Sequence, residues 1–187
     1  MARLKRIDLP FTLYHVMSRT NSGDIAFRDH ADFHRFLSYL QKYIRMFDFR
    51  LHAYCLLPNH FHLLVESGKD LYLSEFMRRL LTAYTIYFNR RNNRHGHLFQ
   101  GRFKSLVVEK NDYYLAVSRY IHTNPARLEK PVEPSRYEWS SLRYYLQGGE
   151  PDWLYTKDIL TWFDGDRIAH ARFVEEGMDQ EISSLIM

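Results

Sequence analysis

Two extended runs in this chain meet at a proline. Residues 49–57 read FRLHAYCLL, Pro58-Asn59 interrupts them, and residues 60–66 read HFHLLVE. Proline and asparagine favour turns, and two apolar runs across so short a break make a β-hairpin. Side chains two apart on a strand point to the same face. His60 and His62 therefore project side by side, their Cα atoms roughly 6–7 Å apart at about 3.3 Å rise per residue. Phe61 and Leu63 point the other way, into a core. The hairpin has one apolar face and one face that carries two imidazoles.

The elements around the hairpin follow from periodicity. Residues 14–20, YHVMSRT, alternate as a strand. Asp29 caps a helix over about 30–46, with Phe33, Phe36, Leu37, Leu40, Tyr43, Ile44 and Phe47 at helical spacing. A second helix is expected over about 74–92, with Leu80, Leu81, Tyr84, Tyr87 and Phe88 as its stripe. A strand over 103–109 follows the loop NNRHGHLFQG. Asn111 or Asp112 caps a third helix, which ends at Asn124-Pro125 because proline disfavours helical conformation in the residue before it. KPVEPSRYEW reads as a surface connection anchored by Trp139. A short helix is expected over 140–147, and further helices after GGEPD. The order β-α-β-β-α-β predicts an α+β fold of the ferredoxin-like, split βαβ kind. Its antiparallel sheet carries helices on one face and leaves the other for a site. Residues 1–148 form the expected domain, and 149–187 a helical C-terminal extension.

Composition narrows the function classes. The chain has 187 residues, 45% hydrophobic and 26% charged, which is a globular balance. Its one cysteine, Cys55, excludes an internal disulfide and a cysteine-based zinc site. No run is long enough for a membrane helix. A soluble cytoplasmic protein is expected. The formal net charge is +4 and the pI about 9.1, and the charge is unevenly spread. Residues 76–108 contain no acid but hold Arg78, Arg79, Arg90, Arg91, Arg94, Arg102 and Lys104. Asp164, Asp166, Glu175, Glu176, Asp179 and Glu181 make the end acidic. The basic window is expected to supply phosphate contacts; an ordinary solvated helix face is the alternative for any one arginine.

An H-x-H pair is equally compatible with a polar sheet face, and His95-Gly96-His97 shows how readily the pattern arises. What favours chemistry is a partner. Two imidazoles suit a divalent ion, and a third oxygen ligand would leave room for substrate. In NDYYLAVSRYIHTNP, Tyr120 and Asn124 are four apart and share a helix face. That helix, laid over the open sheet face, would offer a phenol and an amide oxygen to the same ion. Tyr113 and Tyr114 read as packing. His122 lies on another face of the helix. His15 and His52, on neighbouring strands, are open to a supporting role but read more naturally as core or surface.

LPNHFHLLV, followed by YLAVSRYIHTNPAR, resembles the single-tyrosine HUH endonucleases, and among them the REP-associated tyrosine transposases. GHLFQGRFKS between these motifs and YEWSS after them are similar to the same group. The resemblance spans about residues 13–145. It implies His60 and His62 as metal ligands, Asn124 as the third, and Tyr120 as the nucleophile. It implies Mg²⁺ or Mn²⁺ as cofactor, and single-stranded or hairpin DNA as substrate. The protein would be a monomer or homodimer that cuts and rejoins strands through a 5′-phosphotyrosine. Gln100 and Arg102 fall in a matching motif and are expected on DNA, with Phe99 or Phe103 stacking bases or else packing in the core. The alternatives are an HUH replication initiator or relaxase, and a non-catalytic RRM-like module. The latter lacks its aromatic signature here.

Overall fold

The computed structural model describes residues 9–21, 24–69 and 72–177. Asp179 and Glu181 of the acidic end lie outside them. Four strands, β1 (Leu13–Arg19), β2 (Arg50–Leu57), β3 (His60–Glu66) and β4 (Lys104–Val107), form one antiparallel sheet in the order β2-β3-β1-β4. With α1 (His30–Met46) after β1 and α2 (Leu73–Arg91) after β3, this is the expected ferredoxin-like arrangement.

Local chemistry explains the boundaries. The Asp29 carboxylate accepts from the N–H groups of Ala31 and Asp32, at 3.0 and 3.2 Å, and starts α1. Glu75 in the first turn of α2 and Arg90 and Arg91 in its last complement the helix dipole. Asn111 caps α3 (Asp112–Thr123) by accepting from the Tyr113 N–H. At Asn124-Pro125 the α-helix gives way to a 3-10 turn, Asn124–Arg127.

The sheet buries both faces. Tyr14, Val16, Phe61, Leu63 and Val65 pack under α1 and α2 through Phe36, Leu40, Phe76, Leu80 and Tyr84. On the opposite face Ala53, Cys55, Leu57 and Leu64 meet Val117 and Ile121 of α3. Leu142 and Tyr145 of α4 (Leu142–Gln147) and Val174 of α6 (Arg167–Glu176) complete that layer. The second face is thus covered over β2, most of β3 and the part of β1 from Leu13 to His15, and is open from Met17 to Arg19 and along β4.

One expected boundary shifts, and two open expectations are settled. The helix expected from 140 begins at Leu142, because Ser140 and Ser141 are used by β2. The Ser141 N–H donates to Tyr54 O at 3.0 Å, and Ser141 Oγ accepts from the Tyr54 N–H at 2.9 Å. The tail is two helices, α5 (Lys157–Thr161) and α6, parted at Asp164 and Gly165, both at positive φ. Phe99 and Phe103 are buried core residues rather than base-stacking platforms. Trp139 stacks on Phe33 at 4.4 Å, as an anchor should. The outer edge of β2 is closed by two later segments: the Tyr155 N–H donates to Leu51 O at 2.7 Å, and the Leu56 N–H to Trp139 O at 2.9 Å.

Candidate active site

Strand alternation puts His60, His62, Leu64 and Glu66 on the α3 side of β3. The His60 and His62 rings lie 5.2 Å apart and nearly perpendicular. Each is oriented by a partner. His60 Nδ1 stands 2.7 Å from Asn59 Oδ1. An amide oxygen only accepts, so His60 carries its proton on Nδ1 and keeps a lone pair on Nε2. His62 Nδ1 stands 3.0 Å from Nε2 of His15, its diagonal neighbour on β1. Burial, helped by the Arg19 charge, lowers His60 to about pKa 4. Burial, then His15, His60 and Arg127, holds His62 well below its usual value. Both imidazoles are neutral near pH 7, the form a metal ion binds.

Helix α3 brings Tyr120 against His62 and His15. Its ring meets His62 edge-on at 5.5 Å and His15 at 5.9 Å. Tyr120 is half-buried. Arg127, three residues past Asn124, places its guanidinium 5.0 Å from the Tyr120 ring centre. Asn124 is buried, and its Nδ2 donates to the Tyr120 carbonyl at 2.7 Å, which leaves Oδ1 as its acceptor. No hydrogen bond joins Asn124 to either histidine among the described residues. Two imidazole Nε2 atoms and one amide oxygen are a donor set that fits a small divalent ion.

A second group could also hold a cation: His52, Glu66 and Asp158. Lys110 already fills that role. Its ammonium donates to Glu66 at 3.2 Å and to Asp158 at 3.2 Å. His52 is bonded on both nitrogens, to Tyr114 Oη at 2.9 Å and Glu66 Oε2 at 3.1 Å. Tyr114 is thereby a packing residue. His122, bonded to Ser141 Oγ at 2.9 Å, is buried against Tyr145 and His170.

The family model for IS200-like transposases matches residues 11–124, from just before β1 to Asn124. The chain belongs to the IS200-like transposase family. The transposase also shares its fold with the REP-associated tyrosine transposase solved bound to a REP hairpin. The TM-score is 0.66 at 16% identity, over 83% of this chain and 92% of that one. A Deinococcus radiodurans protein assigned as a transposase is 17% identical over 65% of this chain and 94% of its own, with a TM-score of 0.45. No curated protein matches the sequence.

The transposase's basic window looks different in space than in sequence. Arg78 and Arg79 both bind Glu75 at 2.6–2.7 Å. Arg91 binds Asp29 and the buried Asp32, and Arg94 binds Asp24. Four of the seven cations thus have carboxylate partners that lie outside the acid-free window. Among the described residues, Arg90, Arg102 and Lys104 have none. Lys104 faces the site side of the sheet, opposite Met17, which is itself opposite His62. Two cations escaped the sequence reading. Arg19 lies opposite His60 in the β1–β3 register, and its Nε donates to Gln100 Oε1 at 2.8 Å. Arg127 is the other. Alternation along β1, which puts His15, Met17 and Arg19 on one face, was the available signal for Arg19. His95 and His97 are exposed in their loop.

Proposed function

We propose that this transposase cuts and rejoins single-stranded DNA through a covalent bond to Tyr120, acting on a hairpin-forming strand in the cytoplasm. The observation that carries the reading is the one half-buried phenol ring set edge-on to His62. The family match and the REP-hairpin complex of a protein of the same fold support DNA as the partner.

His60 and His62 through Nε2, and Asn124 through Oδ1, would hold Mg²⁺ or Mn²⁺. The ion would supply Lewis-acid polarisation of the scissile phosphate. The protein's own groups do the rest. The Tyr120 oxygen attacks phosphorus, the bond from phosphorus to the 3′ oxygen breaks, and the phenolic proton ends on the released 3′-hydroxyl. The strand stays attached by a 5′-phosphotyrosine. That bond resembles the phosphodiester it replaced, so a second 3′-hydroxyl can reverse the step without ATP. Arg127 offers positive charge where the attacked phosphate gathers negative charge. Arg19 with Gln100 on one side, and Arg102 and Lys104 on the other, hold the strand across the uncovered part of β1 and β4. Arg78, Arg79 and Arg94 join only by exchanging exposed ion pairs, which cost little to break, whereas Arg91 stays with the buried Asp32. Residues 1–148 carry the chemistry, and the described part of the 149–187 extension braces α3 and the β2 edge, in a monomer or homodimer.

The test is Tyr120→Phe with hairpin oligonucleotides taken from sequences flanking the gene. Wild-type protein should form a covalent protein–DNA adduct that survives denaturing electrophoresis. The variant should bind the same DNA and form none. An adduct in the variant would refute the assignment.

A further inference from the structure

His15 lies at the centre of β1 and is fully buried. Its cross-strand neighbours are Leu64 on β3 and Leu106 on β4, and Leu13 precedes it on the same face. An aliphatic side chain would fill such a position without polar cost. Instead the chain buries an imidazole whose Nδ1 has no hydrogen-bond partner. A buried polar atom left so costs about 1–3 kcal/mol. Its Nε2 makes one contact, 3.0 Å to His62 Nδ1.

Two neutral imidazoles share one proton across that contact, and only two arrangements exist. If His15 donates from Nε2, His62 holds its own proton on Nε2 and has no lone pair to offer the site. If His62 donates from Nδ1, its Nε2 lone pair faces His60 and Tyr120. Arg127, over the Tyr120 ring, brings positive charge to that side, which disfavours an N–H dipole pointing at it and favours a lone pair. Asn59 holds His60 in the same Nδ1–H form.

We propose that His15 is a positioning residue, which accepts the Nδ1 proton of His62 and so fixes His62 with its Nε2 lone pair turned into the site. The proposal rests on the metal-binding reading of His60 and His62. Partners of this kind, behind a ligating histidine, set the tautomer and raise the basicity of the ligand. Asn59 and His15 then act alike, one behind each histidine.

The experiment uses the full chain and three measurements. Histidine ¹⁵N spectra of metal-free wild-type protein should show His62 protonated on Nδ1. His15→Phe, which fills the space but accepts no hydrogen bond, should lose that form. Its Mn²⁺ dissociation constant, read by electron paramagnetic resonance of the free ion, should rise by about 10–100-fold. Its Tm should change little, since the unpartnered His15 Nδ1 is gone while His62 Nδ1 loses its partner. His15→Gln offers an amide oxygen and should recover most of the affinity; it also serves if the Phe variant fails to fold. A merely structural His15 would lower Tm in both variants and leave Mn²⁺ affinity unchanged, and that result would overturn the proposal. So would His62 protonated on Nε2 in the wild type. If wild-type protein binds no Mn²⁺ yet His62 loses its Nδ1 proton only in the Phe variant, the metal reading falls and the positioning role stands.

Discussion

Tyr114→Phe separates the packing tyrosine from the proposed nucleophile. With His52 neutral, the proton chain around Tyr114 is determined. Glu66 is a carboxylate and can only accept, so His52 donates to it from Nε2 and must accept on Nδ1 from the Tyr114 hydroxyl. Tyr114 is 1% exposed and His52 fully buried. Removing the hydroxyl leaves His52 Nδ1 without a donor and without water. An unmade hydrogen bond at such a site costs about 1–3 kcal/mol. For a chain of this size that lowers Tm by about 2–12 °C. The adduct assay should be unaffected, because the phenol bonds to His52 rather than facing His60 and His62. Thermal unfolding by circular dichroism and the adduct gel on the same preparation give both readings. An unchanged Tm would show that the bond contributes nothing. A lost adduct with a normal fold would move the nucleophile to Tyr114. Tyr120→Phe should give the opposite pattern: Tm near wild type and no adduct.

The His52 and Lys110 hydrogen bonds, in that order of weight, lower Glu66 from 4.5 to about 2. Its stabilising share is full above pH 4.5 and lost as pH falls toward 2. Glu66→Gln should therefore flatten the acid dependence of urea midpoints in that window relative to wild type. Lys104→Ala should reduce the slope of log binding constant against log salt by about 0.7, one single-strand phosphate contact; an unchanged slope would take Lys104 off the DNA path. Arg91→Ala should lower thermal stability, since the buried Asp32 loses its cation and keeps only the Arg28 N–H and the Tyr87 hydroxyl, yet leave that slope nearly unchanged.

What was legible in the sequence is what local chemistry decides. Pro58-Asn59 marks the hairpin, Asp29 and Asn111 mark helix starts, and Asn124-Pro125 marks an end, because each acts within a few residues of itself. The H-x-H pair and the Tyr120–Asn124 spacing were readable for the same reason. Contacts that depend on chain passing over chain were not. The arginines of the basic window meet Asp24, Asp29 and Asp32, which lie more than fifty residues earlier in the chain, and Glu75, which sits one residue before the window opens. A window free of acids along the chain is therefore not a face free of acids. The register shift between Leu51 and Ala53 is equally silent in the sequence. That bulge lets His52 and Ala53 both lie on the α3 side while Leu51 packs under α1 and α2. Phe99 and Phe103 sit where no periodicity distinguishes a buried ring from an exposed one.

The two parts of the proposed site differ in how firmly they are held, and the difference follows from sheet order. β3 and β1 are the inner strands, each paired on both sides, so the backbones carrying His60, His62 and His15 cannot shift without breaking two ladders. Tyr120 rides on a capped helix pinned to the same sheet by Val117 and Ile121. Groups that must meet a phosphorus atom within fractions of an ångström are thus set in the most constrained part of the fold. Lys104 stands on the short edge strand β4, Arg102 and Gln100 in the loop before it, and Arg19 at the end of β1. These long side chains can follow a DNA backbone whose path varies with sequence. Substitutions at His60, His62 and Tyr120 should act on the chemical step, and those at Arg19, Gln100, Arg102 and Lys104 on DNA affinity, because only the latter side chains have freedom to adapt.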